Sequence, residues 1–253
     1  MTDQDALFEY LLRLGDNTLI LGHRVSEWCG HAPVLEEDIA LANTALDLIG
    51  QTQKRLGLAG EVEGKGRTAD DLAMLRDVWD FRNVLLVEQL NGDFGQTILR
   101  QFLFDAFHFD LLTALSRAAN DQIAGIATKS LKEVTYHLER SSETVIGLGD
   151  GTEESHRRMQ SALDMLWPYV GEMFVADDVD TALRAQGIAP DLAHLRQSFD
   201  ARIADVMSEA TLTIPENSFA HAGGKTGFRH SEHLGHLLTQ MQWLQRAYPG
   251  ATR

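Results

Sequence analysis

Cysteine is almost missing from this sequence: Cys29 is the only one in 253 residues. A single thiol cannot close an internal disulfide or supply a cysteine-based zinc or iron–sulfur site. Bases are scarce too, 22 Lys and Arg against 37 Asp and Glu, which leaves a formal net charge of −15. Phosphate backbones and anionic membrane surfaces need the opposite excess, so no nucleic acid and no membrane are expected as partners. No apolar run approaches the ~18 residues of a membrane span. The opening MTDQDALFEYLLRLGDN carries acids where a signal peptide carries bases, and the cytoplasm is the expected location. Only five prolines interrupt the chain, at 33, 168, 190, 215 and 249. β-Branched alternation is almost absent, which leaves little room for strands.

The chain is instead rich in Leu, Ala, Asp and Glu, with 44% hydrophobic residues, enough for a sizeable core. An all-α fold is expected, with helices near 4–26, 34–58, 69–90, 94–119, 122–147, 154–174, 191–209 and 230–247. In the second of these Leu35, Ile39, Ala42, Leu46 and Ile49 recur at three- and four-residue steps and make one apolar stripe. Pro33 precedes it, and Glu36, Glu37 and Asp38 crowd the first turn, where negative charge suits the helix dipole. GLAGEVEGKGRTADD (57–71) has the composition of a connector, and IGLGDGTEES (146–155) of a sharp turn. The simplest organisation is one helical domain over 1–253, with residues from about 176 onward as an appendage packed on its outside.

Three motifs invite chemistry. GGKTG (223–227) looks like a phosphate loop, but that frame puts Gly five positions before Gly224, where Phe219 stands, and belongs after a strand. A flexible entry to the last helix is the better reading. HSEHLGH (230–236) concentrates three histidines; a packed His233 donating to a backbone oxygen or carboxylate is favoured over an exposed mononuclear metal site. The long helices carry a partial di-metal pattern. Di-iron carboxylate bundles take a carboxylate from each of two helices and Glu-x-x-His from each of two others. Asp105-Ala-Phe-His108 fits by spacing, with Asp47, Glu133 and Asp164 as partners, yet Trp167 stands where the second histidine belongs. Counting back three residues from His137 gives Val134, with Glu133 one residue off and rotated by about 100°.

LGDNTLILGHRVSEWCGHAP, DIALANTALDLIGQ, LLVEQLNGDFGQTILRQFLFDAFH, KEVTYHL and GGKTGFRHSEHLG together closely resemble the C-type subunits of bacterial phenylacetyl-CoA 1,2-epoxidases, over nearly the whole chain. That family lies in the ferritin-like superfamily, which implies a four-helix bundle with additional peripheral helices. The resemblance also implies a multicomponent monooxygenase that uses NADPH and O2 in phenylacetate catabolism. The catalytic, A-type subunit of that system holds the di-iron centre, and a small B-type subunit with a reductase completes it.

In the family's catalytic subunit the ligands are Glu, a Glu-x-x-His in a DEAGH segment, Asp, and a second Glu-x-x-His in a KEESFH-like segment. DLIGQ occupies the first of these segments here, so the resemblance puts Leu48 at the glutamate and Gln51 at the histidine. LFDAF retains Asp105, KEVTYH retains His137 with Val134 at the glutamate, and the first glutamate falls near Asn17. The resemblance therefore implies a vestigial di-iron site with no metal, no cofactor and no catalytic residue, and a structural subunit that pairs with the catalytic one. Asp105 and His137 are expected to be buried and satisfied by protein groups. Phe102, Phe104, Phe107, Phe109, Trp167 and Tyr169 are candidates for an interface, though the core competes for them. Two other readings stay open: an independent di-metal oxygenase using Asp47, Asp105, His108, Glu133 and Asp164, and a helical module that binds another component such as the reductase.

Overall fold

The computed structural model describes residues 1–216 and 220–250. Phe219, which breaks the phosphate-loop frame, lies outside the described residues. The fold is all-α and ferritin-like, with no strand among the described residues. Two compact units share the chain: residues 1–90 with 222–253, and residues 91–221.

The first unit is built on a pair of long helices, α1 (Asp3–Ser26) and α2 (Leu35–Glu63). Thr2 and Asp5 cap α1 reciprocally, each side chain taking the other's backbone N–H. Asp38, in the first turn of α2, accepts the N–H groups of Gly30 at 2.7 Å and Ala32 at 3.3 Å, which fixes the connecting loop. Glycine lets the two axes approach: a Cβ on Gly15 would sit 2.5 Å from Leu56, and one on Gly22 would sit 3.1 Å from Ile49. Polar groups at the seam are satisfied across it. The Thr18 and Thr52 hydroxyls meet at 2.8 Å, and Arg55 donates to the Leu14 carbonyl at 3.0 Å.

α2 differs from its prediction in two respects. It continues through Gly57 and Gly60 and stops at Gly64, whose φ of 71° gives the left-handed cap that ends helices. Its core face is also not the expected stripe. Leu41, Ala45, Leu48, Thr52, Leu56 and Ala59 are buried, whereas Leu35, Ile39, Leu46 and Ile49 are exposed by 70, 52, 70 and 36%. Because Thr44, Gln51, Thr52 and Arg55 share the buried face, hydropathy alone favours the wrong side.

The helix expected over 69–90 is three short pieces: α3 (Ala69–Met74), a 3-10 turn at Val78–Asp80, and α4 (Leu85–Glu88). The breaks are made by side chains that capture backbone. Arg76, itself buried, pairs with both oxygens of buried Asp16 and donates to the Asp80 carbonyl at 2.9 Å. Asp16 also accepts the Arg82 N–H at 2.8 Å, and Asn17 Oδ1 accepts the Val84 N–H at 2.8 Å.

The second unit centres on α5 (Phe94–Leu115) and α6 (Asp121–Gly149), capped by Asp93 and Asn120. α7 (Glu153–Leu166), α8 (Asp178–Ala185) and α9 (Leu192–Glu209) follow, with two 3-10 turns over 167–174 where the predicted helix 154–174 tightens at Pro168. α8 was not foreseen; Asp177 caps it by accepting the N–H groups of Val179 and Asp180. Phe102, Phe104 and Phe107 are core, and Phe109, Trp167 and Tyr169 are half-buried. The stretch from 176 onward divides. Residues up to 221 fall in this unit, and α10 (Glu232–Ala247) packs on α3 in the first.

Candidate functional site

In the first unit α1 and α2 carry three of the positions at which the resemblance places ligands. Asn17 and Gln51 are buried amides, and Asn17 holds α4 through Val84. Gln51 Oε1 accepts from Arg55 Nη2 at 3.1 Å, and Leu48 is wholly buried hydrocarbon. Arg55 is itself buried, so a guanidinium occupies surroundings that a metal ligand set would fill with anions.

In the second unit α5 and α6 carry the other three. Asp105 is completely buried and accepts from Gln101 Nε2 at 2.7 Å and Ser141 Oγ at 2.9 Å. Burial pushes its carboxyl up to about 6, against the opposing pull of the nearby His137 charge and of the Ser141 and Gln101 hydrogen bonds. His137 is 2% exposed and Val134 is wholly buried. Both retained residues are thus buried, and both oxygens of Asp105 are held by protein donors. Gln101 and Ser141 were not foreseen. Their signal is helical spacing, since Gln101 lies four residues before Asp105 and Ser141 four after His137.

The alternative di-metal set does not converge. Asp164 is exposed and accepts from Gln160 at 2.9 Å, Glu133 and Asp47 are half-buried, and His108 lies against the Phe104 ring at 5.1 Å between centroids. Among the described residues no three His, Cys, Asp or Glu side chains are grouped to hold a metal ion. The residues present do not fit a di-iron centre. Such a centre needs several anionic oxygens; the first unit's positions offer one hydrocarbon and two engaged amides, and the second unit's offer one hydrocarbon, one histidine and one carboxylate already holding two hydrogen bonds.

GGKTG is a structural loop. Gly223 (φ 124°) and Gly227 (φ 69°) take conformations that side chains rarely adopt, and a Cβ on Gly224 would sit 2.5 Å from the Asn83 carbonyl. In the following histidine cluster it is His230, not His233, that meets a carboxylate. Its Nδ1 lies 2.5 Å from Glu88 Oε1 and its Nε2 3.2 Å from the Phe81 carbonyl. Glu88 is wholly buried and also accepts from Asn83 Nδ2, the Ser231 N–H and the Ser231 hydroxyl. Both of its oxygens are therefore committed to tying the start of α10 to α4. Ser231→Ala removes one of these charge-assisted bonds and is expected to cost about 1.5 kcal/mol. Denaturant unfolding at neutral pH measures it, and faster proteolysis within 222–250 would accompany the loss.

An open groove near α10 is lined by Val78, Leu238, Thr239 and Trp243. Its charges, Arg246 and Asp77, pair with each other at 2.8 Å. No nucleophile with an adjacent base lines it.

The chain matches the family described as phenylacetic acid catabolic protein over residues 1–252. It belongs to that family. It is 48% identical over 244 residues to the C-type subunit of 1,2-phenylacetyl-CoA epoxidase from Escherichia coli (strain K12), covering 96% of this chain and 98% of the relative. A role in phenylacetate catabolism goes with membership. Among the described residues no helix is long and apolar enough to cross a membrane.

Proposed function

We propose that this chain is a non-catalytic structural subunit of a phenylacetyl-CoA epoxidase, located in the cytoplasm, that pairs with and stabilises a di-iron catalytic subunit. The observation that carries the reading is the content of the six ligand positions. Leu48 and Val134 are buried hydrocarbon, Asn17 and Gln51 are amides spent on protein partners, Asp105 is held by Gln101 and Ser141, and His137 is the one buried histidine kept. These substitutions relieve a cost. Several buried carboxylates without a cation repel one another, and each loses several kcal/mol of hydration. A chain kept in this form has been relieved of metal chemistry while its bundle helices stay intact. The relative's name, which makes it one subunit of an epoxidase, supports membership of a complex.

Reconstitution tests this. With reductase, NADPH, O2 and phenylacetyl-CoA, the chain alone is expected to give no product. Added to the catalytic subunit, it is expected to comigrate on gel filtration and to raise that subunit's soluble yield and turnover. NADPH-dependent turnover by the chain alone would contradict the reading.

A further inference from the structure

Both ring nitrogens of His230 face acceptors. Nδ1 lies 2.5 Å from Glu88 Oε1 and Nε2 lies 3.2 Å from the Phe81 carbonyl, and the side chain is 1% exposed. A neutral imidazole donates from one nitrogen only, so the protonated ring alone donates to both. Glu88 suits the opposite charge. It also accepts from Asn83 Nδ2 at 2.9 Å, the Ser231 N–H at 2.7 Å and the Ser231 hydroxyl at 2.6 Å, and an ionised carboxylate accepts without donating.

Charges on the neighbouring elements leave this pairing intact. Arg24 of α1 donates to the Glu88 carbonyl at 3.0 Å and the His233 carbonyl at 3.2 Å, and has Glu27 at 3.1 Å. Arg82 donates to the Phe81 carbonyl at 2.9 Å and has Glu9 at 2.7 Å, while Arg76, over the Phe81 ring, has Asp16. Each guanidinium is matched by a carboxylate of its own, and Glu88 answers the imidazolium. On the segment itself Arg229, Glu232 and His236 are exposed and His233 is half-buried.

The start of α10 depends on this pair. Ser231 is the N-cap residue of α10, yet its side chain caps no N–H of that helix, because the hydroxyl is given to Glu88. The far half is fastened otherwise. Gln242 Nε2 donates to the Ala73 and Arg76 carbonyls at 3.0 Å each, and Arg246 Nη2 to the Arg76 carbonyl at 2.9 Å. Amide and guanidinium donors do not lose their protons. We infer that Glu88 and His230 form a proton-dependent latch: the protonated ring fastens residues 222–233, and loss of its proton loosens that segment while the far half of α10 stays in place. The neutral ring keeps one of its two acceptors and turns a lone pair on the other, and the buried carboxylate loses its counter-charge. Because the fastened state holds the extra proton, the latch is firm at low pH and weakens as pH rises. Trp79, its ring 6.2 Å from that of His230, and Phe228 are 64 and 84% exposed, so the same proton shapes an aromatic surface.

Nitrogen NMR of the histidine rings and amide hydrogen exchange, both on the full-length chain, test it. At pH ~6 the His230 ring, assigned by its absence from the His230→Gln spectrum, is expected to carry protons on both nitrogens. Between pH ~6 and pH ~9 protection over 222–233 is expected to fall at least ~10-fold, after correction for the pH dependence of exchange itself. The fall should share its midpoint with loss of the ring proton, and protection over 238–247 should change less than ~2-fold. His230→Gln, whose amide donates without titrating, is expected to show the loosened protection at both ends of the range. A ring that is neutral at pH ~6 overturns the latch. So does protection over 222–233 that does not follow the ring proton, or a fall shared equally by 238–247 or by His230→Gln.

Discussion

Replacing Arg76 by methionine is expected to destabilise the chain by about 3–5 kcal/mol, which is what loss of one partner of a buried ion pair costs. Arg76 and Asp16 are both buried and joined through both carboxylate oxygens. The guanidinium lies over the Phe81 ring at 4.4 Å and donates to the Asp80 carbonyl, while Asp16 also holds the Arg82 N–H. Methionine keeps the aliphatic stem and removes every one of these donors. It therefore leaves a carboxylate in the core whose remaining donor in this cluster is the Arg82 N–H. The path from α3 to α4 has little regular structure of its own, so its order depends on this cluster. Denaturant unfolding gives the magnitude. Hydrogen exchange locates the effect, with protection expected to fall first over 69–90. Asp16→Asn together with Arg76→Met should recover much of the loss, because no unpaired charge then remains. A single variant within about 1 kcal/mol of the parent would show that the pair contributes little.

Asp105→Asn is expected to change stability in the opposite direction. In the unfolded chain this carboxyl titrates near 3.8, and burial raises it to about 6 in the folded state. Between those values the folded protein keeps a proton that the unfolded chain has released. Stability from this group is therefore full below pH ~4 and is lost as pH rises through ~6. The difference between those two values corresponds to roughly 3 kcal/mol. Asparagine resembles the protonated acid: its carbonyl can accept from Gln101 and its amide can donate to Ser141. The variant should match the parent near pH ~4 and exceed it by up to ~3 kcal/mol near pH ~7. Urea unfolding across that range reads the difference curve directly. An asparagine variant less stable than the parent at neutral pH would mean that the ionised carboxylate is used, either by His137 or by a bound cation.

Much of this architecture is legible in the chain, and the failures have physical causes. α1, α5, α6 and α9 end within a few residues of prediction because local signals agree: Thr2, Asp93, Asn120 and Asp191 each cap a helix through their side chains. The segment 69–90 misleads because its breaks come from Arg76, Arg82 and Val84 meeting Asp16 and Asn17, which lie 60 or more residues away in sequence. No local propensity records that. α2 misleads for another reason. It is apolar on two faces, and the more regular stripe is the one that solvent sees, while the true core face includes Thr44, Gln51, Thr52 and Arg55. The histidine cluster shows the same limit, since only tertiary placement selects His230 to meet Glu88.

The candidate site is legible through resemblance rather than spacing. Spacing alone keeps Asp105, His108, Glu133, Asp47 and Asp164 in play as a metal set, and burial separates them: Asp105 and His108 are deep, and Asp164 is exposed. The resemblance points to Leu48, Gln51, Val134 and His137, all of which are buried. Neither supplies how a lone buried carboxylate is tolerated. Gln101 and Ser141 answer it, together with the raised carboxyl.

The most direct test of the central claim is iron and manganese content, measured on this chain purified alone and on its complex with the catalytic subunit. Near-zero metal in the isolated chain, with iron appearing only in the complex, is the predicted result. About two metal ions per isolated chain, the complement of a di-iron bundle, lost on Asp105→Asn or His137→Ala substitution, would contradict it and would make this chain a metalloprotein in its own right.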